Sequence, residues 1–171
     1  MKFRLPGIYK NRQSGGYVQT NSTARTAPRC SSSDGVMQDE GNRPYTLNLR
    51  RLAEQNENFR TALWTGKNLQ LTVMNIPVGG EIGFERHDKV DQFIGIVSGY
   101  GEIIVEPSGI GRGYTSSLSG DYATIVPAGT RHNVRNTGKT PLKIYSIYTP
   151  PNHPYGTVDV TKADSDTRHY N

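Results

Sequence analysis

The chain has few of the residues on which several protein classes depend. It contains one cysteine, Cys30, among 171 residues. One cysteine cannot form an intramolecular disulfide, and without a Cys-x-x-Cys pair the chain has neither a cysteine zinc site nor a dithiol redox site of that type. No apolar run approaches the roughly 20 residues that span a membrane, and residues 1–10 lack the apolar stretch of a signal peptide. We therefore expect a cytoplasmic protein with no membrane partner.

Hydrophobic residues are also scarce, and positive charge is spread unevenly. Only 33% of residues are hydrophobic, while 19 glycines and 10 prolines favour a strand-and-turn protein over a helical bundle. The length suits one domain with its own core. Most of the net charge of +5 lies in residues 1–43, which are polar and show no periodicity. They predict a basic N-terminal arm. Because basic and aromatic residues do not interleave there, nucleic-acid binding is the weakest functional expectation.

Residues 44–58 carry the pattern of a short amphipathic helix over about 46–56. Its apolar positions are Leu47, Leu49, Leu52 and Ala53. Charged side chains lie between them, as expected for a helix with one buried face. Thr46 or Asn48 is expected to cap it. We expect this helix to cover one end of a barrel.

Residues 59–160 read as short strands separated by turns. The predicted strands are 59–65, 69–76, one carrying Glu85 and His87, 90–97, 102–106, 114–118, 122–126, 131–135 and 142–148. Residues 107–113, with three glycines, predict a loop, and residues 161–171 a C-terminal tail. This pattern predicts an all-β double-sheet jelly roll with two Greek keys. If the N-terminal arm is ordered, it must pack on this barrel or on a neighbouring subunit, which favours a homo-oligomer of two or more chains.

Four polar side chains on these strands predict a metal site. Glu85 and His87 are two residues apart, so an extended strand points both to one face. Gln92 opens an apolar run, and His132 follows a Pro-x-Gly turn. Two imidazoles, a carboxylate and an amide oxygen suit a first-row transition metal. In the alternative, Glu85 pairs with Arg86 or Lys89 at the surface; alternation places Arg86 on the other face, which disfavours that pairing.

At these positions the sequence resembles the cupins. Their first motif, G-xxxxx-H-x-H-(three or four residues)-E-xxxxxx-G, falls on Gly79, Glu85, His87, Gln92 and Gly99. Their second motif, G-xxxxx-P-x-G-xx-H-xxx-N, falls on Gly120, Pro127, Gly129, His132 and Asn136, with one extra residue before Pro127. Glu85 replaces the first motif histidine and Gln92 the motif glutamate. The resemblance covers about residues 60–160 and is nearest to small single-domain bacterial cupins labelled mannose-6-phosphate-isomerase-like.

The resemblance implies a double-stranded β-helix, the cupin β-barrel, and metal ligation by His87 and His132 together with Glu85. The expected cofactor is a divalent transition metal: Mn, Fe, Ni or Zn. Gln92 is either a ligand or a hydrogen-bonding partner of His87 or of a bound water. Asp91 competes with it, because the family allows the shorter spacing. Alternation points one of the two inward, so both can ligate only if a bulge intervenes, and the extra residue before Pro127 is a candidate bulge.

Two functional hypotheses follow, and the sequence does not decide whether the protein is an enzyme. The first is a metal-dependent isomerase or oxygenase acting on a small molecule. The second is a non-enzymatic ligand-binding or structural cupin that assembles as a homo-oligomer. Arg86 and Arg131 neighbour inward residues and should point away from the interior, which argues against a phosphosugar substrate. At most one of Tyr145 and Tyr148 can face the cavity.

Overall fold

The computed structural model describes residues 37–107 and 112–168, which form two antiparallel sheets and two short helices. The elements in chain order are α1 (Leu49–Gln55), β1 (Arg60–Thr65), β2 (Gln70–Ile76), β3 (Asp91–Ser98), β4 (Tyr100–Val105), β5 (Tyr114–Ser119), β6 (Ala123–Val126), β7 (His132–Asn136), β8 (Leu142–Thr149), β9 (Val158–Asp159) and α2 (Lys162–Arg168). Most of the predicted N-terminal arm and of the predicted 107–113 loop lies outside the described residues. No helix within them is long and apolar enough to cross a membrane.

The two sheets face each other across an apolar interior. One has the strand order β6-β3-β8-β2-β1-β9 and the other β5-β4-β7. Alternate residues of the strands point inward. The inner cluster comprises Phe59, Met74, Ile76, Ile82, Ile94, Ile96, Ile103, Leu118, Val126, Val134, Leu142 and Ile144. The predicted all-β double-sheet barrel is confirmed.

Helix α1 packs on the outside of the barrel. It begins after Asn48, whose side-chain oxygen accepts a hydrogen bond from the backbone N–H of Arg51 at 3.0 Å. Its one buried residue, Ala53, joins an outer cluster with Val73 and Val97 from the six-stranded sheet. The prediction that the helix covers an end of the barrel is therefore wrong. Amphipathic periodicity identifies the buried face of a helix but not its partner.

The segment that carries Glu85 and His87 is extended but is not a regular strand. It makes isolated antiparallel bridges to β7, at Glu81 with Arg135 and at Glu85 with His132. Two backbone hydrogen bonds form the second bridge: the N–H of Glu85 donates to the carbonyl of His132 at 2.9 Å, and the N–H of His132 donates to the carbonyl of Glu85 at 3.0 Å. A strand was predicted here. The glycines at 79, 80 and 83, two of them with positive φ, interrupt the ladder while leaving Glu85 beside His132.

Two further differences concern the motif spacing and the C-terminus. Strand β6 pairs with β3 without a register shift, so the extra residue before Pro127 does not form the proposed bulge. The extra residue lies instead in the turn at Gly120 and Asp121, where Asp121 has φ 71°. The predicted tail contains helix α2, which follows β9 at the edge of the larger sheet.

Candidate metal centre

The structure brings the four predicted site residues together at one polar end of the barrel. Glu85 Oε1 lies 3.4 Å from His87 Nε2 and 3.3 Å from His132 Nε2. Gln92 Oε1 lies 3.0 Å from the same nitrogen of His132. The elements explain the convergence: β3 supplies Gln92, β7 supplies His132, and the bridged segment beside β7 supplies the other two.

The hydrogen bonds of His132 set the chemistry of this cluster. Its Nδ1 lies 3.1 Å from the carbonyl oxygen of Thr130, a pure acceptor, so Nδ1 carries a proton and donates it. In the neutral imidazole Nε2 then presents a lone pair. That lone pair faces Glu85 Oε1 and Gln92 Oε1, which are also acceptors. Three acceptors at contact distance repel unless a positive centre lies between them, either a proton on Nε2 or a metal ion.

The orientation of the Gln92 amide is fixed from its other side. The Gln92 side-chain nitrogen is near Ser146 Oγ at 3.4 Å and Tyr148 Oη at 3.3 Å, and donates to both. This directs Oε1 of Gln92 toward His132. Burial raises the pKa of Tyr148, so its phenol keeps its proton at neutral pH.

Glu85 remains charged although it is largely enclosed. Burial alone would raise its pKa, but the adjacent imidazoles of His132 and His87 lower it, and the pKa stays well below its usual range. Glu85 Oε1 and His87 Nε2 are both buried and make no hydrogen bond within the described residues. They lie within ion-pair distance of each other without the alignment of a hydrogen bond. A buried carboxylate oxygen and a buried imidazole nitrogen, neither with a hydrogen-bond partner among the described residues, suit a cation.

The donor chemistry fits a divalent transition metal, and the separations agree with it. Ligands about 2.1 Å from one ion lie roughly 3.0 to 3.4 Å from each other, and the contacts around Glu85 Oε1 and His132 Nε2 measure 3.0 to 3.4 Å. Among residues 37–107 and 112–168, no group of three or more His, Cys, Asp and Glu side chains forms a ready-made metal site. The fit is therefore one of donor types and of the separations around Glu85 Oε1 and His132 Nε2.

A cleft of about 540 Å³ opens onto this cluster. Its walls include Glu85 and His87, together with Arg60 of β1 and Lys162 and Asp166 of α2. Sequence reasoning missed Arg60, although a signal was present: it lies in a predicted strand whose other residues, apart from Thr61 and Thr65, are apolar. It is 1% exposed.

The remaining predicted residues separate into inward and outward positions. Gln92 is 1% exposed, whereas Asp91 is exposed and accepts a hydrogen bond from the backbone N–H of Ala128. The structure therefore places Gln92, and not Asp91, in the cluster. Tyr148 points inward and contacts the ring of His87, while Tyr145 stacks on Phe93.

The side chains of Arg86 and Arg131 are both about half exposed, but Arg86 also lines the cleft beside Glu85 and His87. Arg86 pairs with Asp88 at 2.9 Å, and Arg131 pairs with Glu106 and stacks on the ring of Phe84. His153 packs edge-on against Tyr148, outside the cluster. His169 lies outside the described residues.

Comparison with known proteins agrees with this architecture. The sequence model of the cupin domain matches residues 72–148. YrkC, an uncharacterized protein of Bacillus subtilis strain 168, is 50% identical over 130 residues, which cover 76% of this chain and 70% of YrkC. The uncharacterized protein L612 of Acanthamoeba polyphaga mimivirus is 32% identical over 125 residues, 72% of this chain and 76% of L612.

Solved structures give the same result. BH2720 of Bacillus halodurans superposes with a TM-score of 0.73 at 46% identity, covering 76% of this chain and 98% of BH2720. TT1209 of Thermus thermophilus, at 19% identity and a TM-score of 0.53, shares the fold, and the match covers 61% of this chain and 96% of TT1209. From its barrel, its two motifs and these relatives, the chain belongs to the cupin family.

Proposed function

We propose that the protein binds one divalent first-row transition metal ion through Glu85, His87 and His132, with the Gln92 amide oxygen as a fourth donor, and acts on a small molecule in the adjoining cleft. One observation carries this proposal. Glu85 Oε1 lies 3.4 Å from His87 Nε2 and 3.3 Å from His132 Nε2, and the Glu85 oxygen and the His87 nitrogen are buried with no hydrogen-bond partner among the described residues.

The bound ion would supply Lewis-acid or oxygen-binding chemistry. Glu85 and His87, which line the cleft, would orient the small molecule from the protein side. As a ligand, Glu85 would have its lone pair engaged by the ion, so it would not serve as the base that removes a proton from carbon. That favours an oxygenase over an isomerase, which needs such a base.

The second candidate function is a structural or ligand-binding cupin that works as a homo-oligomer. The observation that favours it is an apolar surface at the edge of the larger sheet. Tyr122 is 57% exposed and Ile125 is 71% exposed, and β6, which carries Ile125, is an edge strand. An edge strand with exposed apolar side chains is a ready surface for a second copy of the chain.

Metal analysis of the purified protein tests the first proposal. After loading with Mn²⁺, Fe²⁺, Ni²⁺ or Zn²⁺ and desalting, the protein should retain about one ion per chain. His87→Ala and His132→Ala should each retain under about a tenth of that amount, because each removes one of three strong ligands. Glu81→Gln, which changes a glutamate of the same segment outside the cluster, is the matched control and should load fully. Full loading of both histidine variants would contradict the proposal.

A further inference from the structure

Arg60 is a buried charge that neither the motifs nor the proposed metal ligands explain. It lies on β1, directly across from Met74 on one side and Asp159 on the other. Its side chain is 1% exposed. A guanidinium removed from water requires hydrogen-bond acceptors and a counter-charge to offset its lost hydration.

The counter-charge available to Arg60 is shared with a second cation. Asp159 Oδ2 lies 3.7 Å from Nη1 of Arg60, beyond hydrogen-bond distance. The other oxygen of the same carboxylate lies 2.6 Å from Nε of Arg168. Asp159 is therefore shared between two guanidinium groups, and it makes no hydrogen bond to Arg60.

Of the three guanidinium nitrogens of Arg60, Nη1 makes a strong hydrogen bond, whereas Nη2 and Nε do not. Nη1 donates to Ser165 Oγ of α2 at 2.6 Å. Nη2 contacts the thioether sulfur of Met74 at 3.8 Å, a weak acceptor, and the guanidinium carbon lies 5.8 Å from the centre of the Phe59 ring. Nε is buried and has no hydrogen-bond partner among the described residues. In arginines generally, the Nε–H and one Nη2–H point the same way along one edge of the guanidinium group. This edge can donate two parallel hydrogen bonds to one carboxylate or phosphate.

This edge belongs to a side chain that lines the cleft beside the proposed metal centre. Arg60, Glu85, His87 and Lys162 all contribute to the cleft walls. A small molecule that contacts Glu85 and His87 in the cleft therefore also lies near the positive charge of Arg60.

We propose that Arg60 anchors an oxyanion subsite of the cleft, so that the small molecule bound beside the metal centre carries a carboxylate or phosphate group. This inference rests on the proposed function for the role of the neighbouring site, but the subsite itself is built from Arg60 alone. Arg86 and Lys162 add positive charge at the cleft wall, although Asp88 already pairs with Arg86 at 2.9 Å and Asp166 with Lys162 at 2.7 Å. One partly compensated arginine suits the single charge of a carboxylate better than the two charges of a phosphate.

The test measures anion binding by calorimetry with malonate, inorganic phosphate and the neutral analogue malonamide. Each probe is titrated into the full chain, both chelator-treated and metal-loaded. We expect malonate to bind both forms, phosphate to bind more weakly and malonamide not to bind. Arg60→Lys keeps a positive charge opposite Asp159 but lacks the pair of parallel N–H donors. It should lower the affinity for malonate at least about tenfold and leave the metal content unchanged.

Ser165→Ala is the matched control for the contact between Arg60 and α2. It removes the acceptor of Nη1 and leaves the Nε edge intact, so malonate affinity should stay within about twofold of wild type. Equal malonate affinity in wild type and Arg60→Lys would overturn the subsite. An equal loss in Ser165→Ala and Arg60→Lys would also overturn it, since the arginine would then act only by holding α2.

A measurement on the wild-type chain covers the case in which Arg60→Lys does not fold. The Nε–H resonance of Arg60, assigned through bonds from its backbone, should shift on addition of malonate and not of malonamide. An unmoved resonance at saturating malonate would refute the subsite. Metal content distinguishes failure of the subsite from failure of the proposed metal centre. If the protein binds malonate but retains no metal, only the metal centre is refuted. If it retains metal but does not bind malonate, only the subsite is refuted.

Discussion

Gln92 joins two parts of the site through a single amide group. Its nitrogen donates toward Ser146 and Tyr148, and its oxygen faces His132. An amide oxygen is a neutral and weaker ligand than the carboxylate that cupins have at this motif position. The structure thus places Gln92 where it can bind a metal ion directly and where its own partners hold it in that orientation.

We expect metal affinity to follow the charge of residue 92. Gln92→Glu should tighten divalent metal binding, because a carboxylate replaces a neutral oxygen. Gln92→Ala should weaken it about 10- to 100-fold, the usual effect of losing a supporting group at a metal site. Competition with a chromophoric chelator measures both. Asp91→Asn alters the outward-facing neighbour and should bind as wild type does, so a loss in Asp91→Asn equal to that in Gln92→Ala would contradict this assignment.

The lowered pKa of Glu85 predicts an acid-dependent contribution to stability in the chelator-treated protein. A carboxyl group whose folded pKa lies below its unfolded value of about 4.3 stabilises the fold above that value. That contribution is lost as the pH falls through the folded pKa. Urea unfolding from pH 7 to pH 2.5 should show wild type losing free energy of unfolding relative to Glu85→Gln below about pH 4. A difference between the two proteins that does not vary with pH would rule out the lowered pKa.

At the scale of elements, α1 is the piece whose stability depends most clearly on one local bond. The helix has seven residues, too few to be stable alone, so its cap and its packing decide whether it forms. Asn48→Ala should cost about 1 kcal/mol of unfolding free energy by removing the acceptor for the Arg51 N–H. Asn48→Ser keeps an acceptor and should cost much less. Urea denaturation compares them, and equal losses would show that the cap contributes nothing.

The strands were predictable because alternation and turns are local signals. Strand β8, predicted over 142–148, spans Leu142–Thr149 with buried and partly exposed residues in strict alternation up to its last residue. Helix α2 was not predicted because the stretch Lys162–Arg168 has almost no apolar side chain to mark a buried face. Long-range polar contacts hold it, from Arg60 to Ser165 and from Arg168 to Asp159. Such pairings have no signature in the local sequence.

The candidate site was predictable to the extent that motif spacing determines it. The spacing named Glu85, His87, Gln92 and His132, and the structure brings all four together. The choice between Gln92 and Asp91 needed the strand register, since a shift of one residue reverses the face. Arg60 lies outside both motifs, and its place in a strand that also carries Thr61 and Thr65 did not show that its side chain is buried.

At the scale of the whole molecule, the exposed edge at β6 predicts self-association. Sedimentation equilibrium of the full chain should give a mass of at least twice 18.9 kDa. Ile125→Lys places a charge on the edge strand and should shift the population toward single chains. Val78→Lys changes an exposed apolar residue elsewhere and is the control. Wild-type protein that sediments as a single chain would contradict this proposal and leave the metal centre untouched.

The most direct test of the account is the position of the ion itself. Crystals of metal-loaded protein, measured on both sides of the absorption edge of the metal, locate it in an anomalous difference map. We predict one strong peak, bonded to His87 Nε2, His132 Nε2 and a Glu85 oxygen at about 2.0 to 2.2 Å. A map with no peak among these side chains, or with its only peak at His153 or His169, would contradict the proposed metal centre.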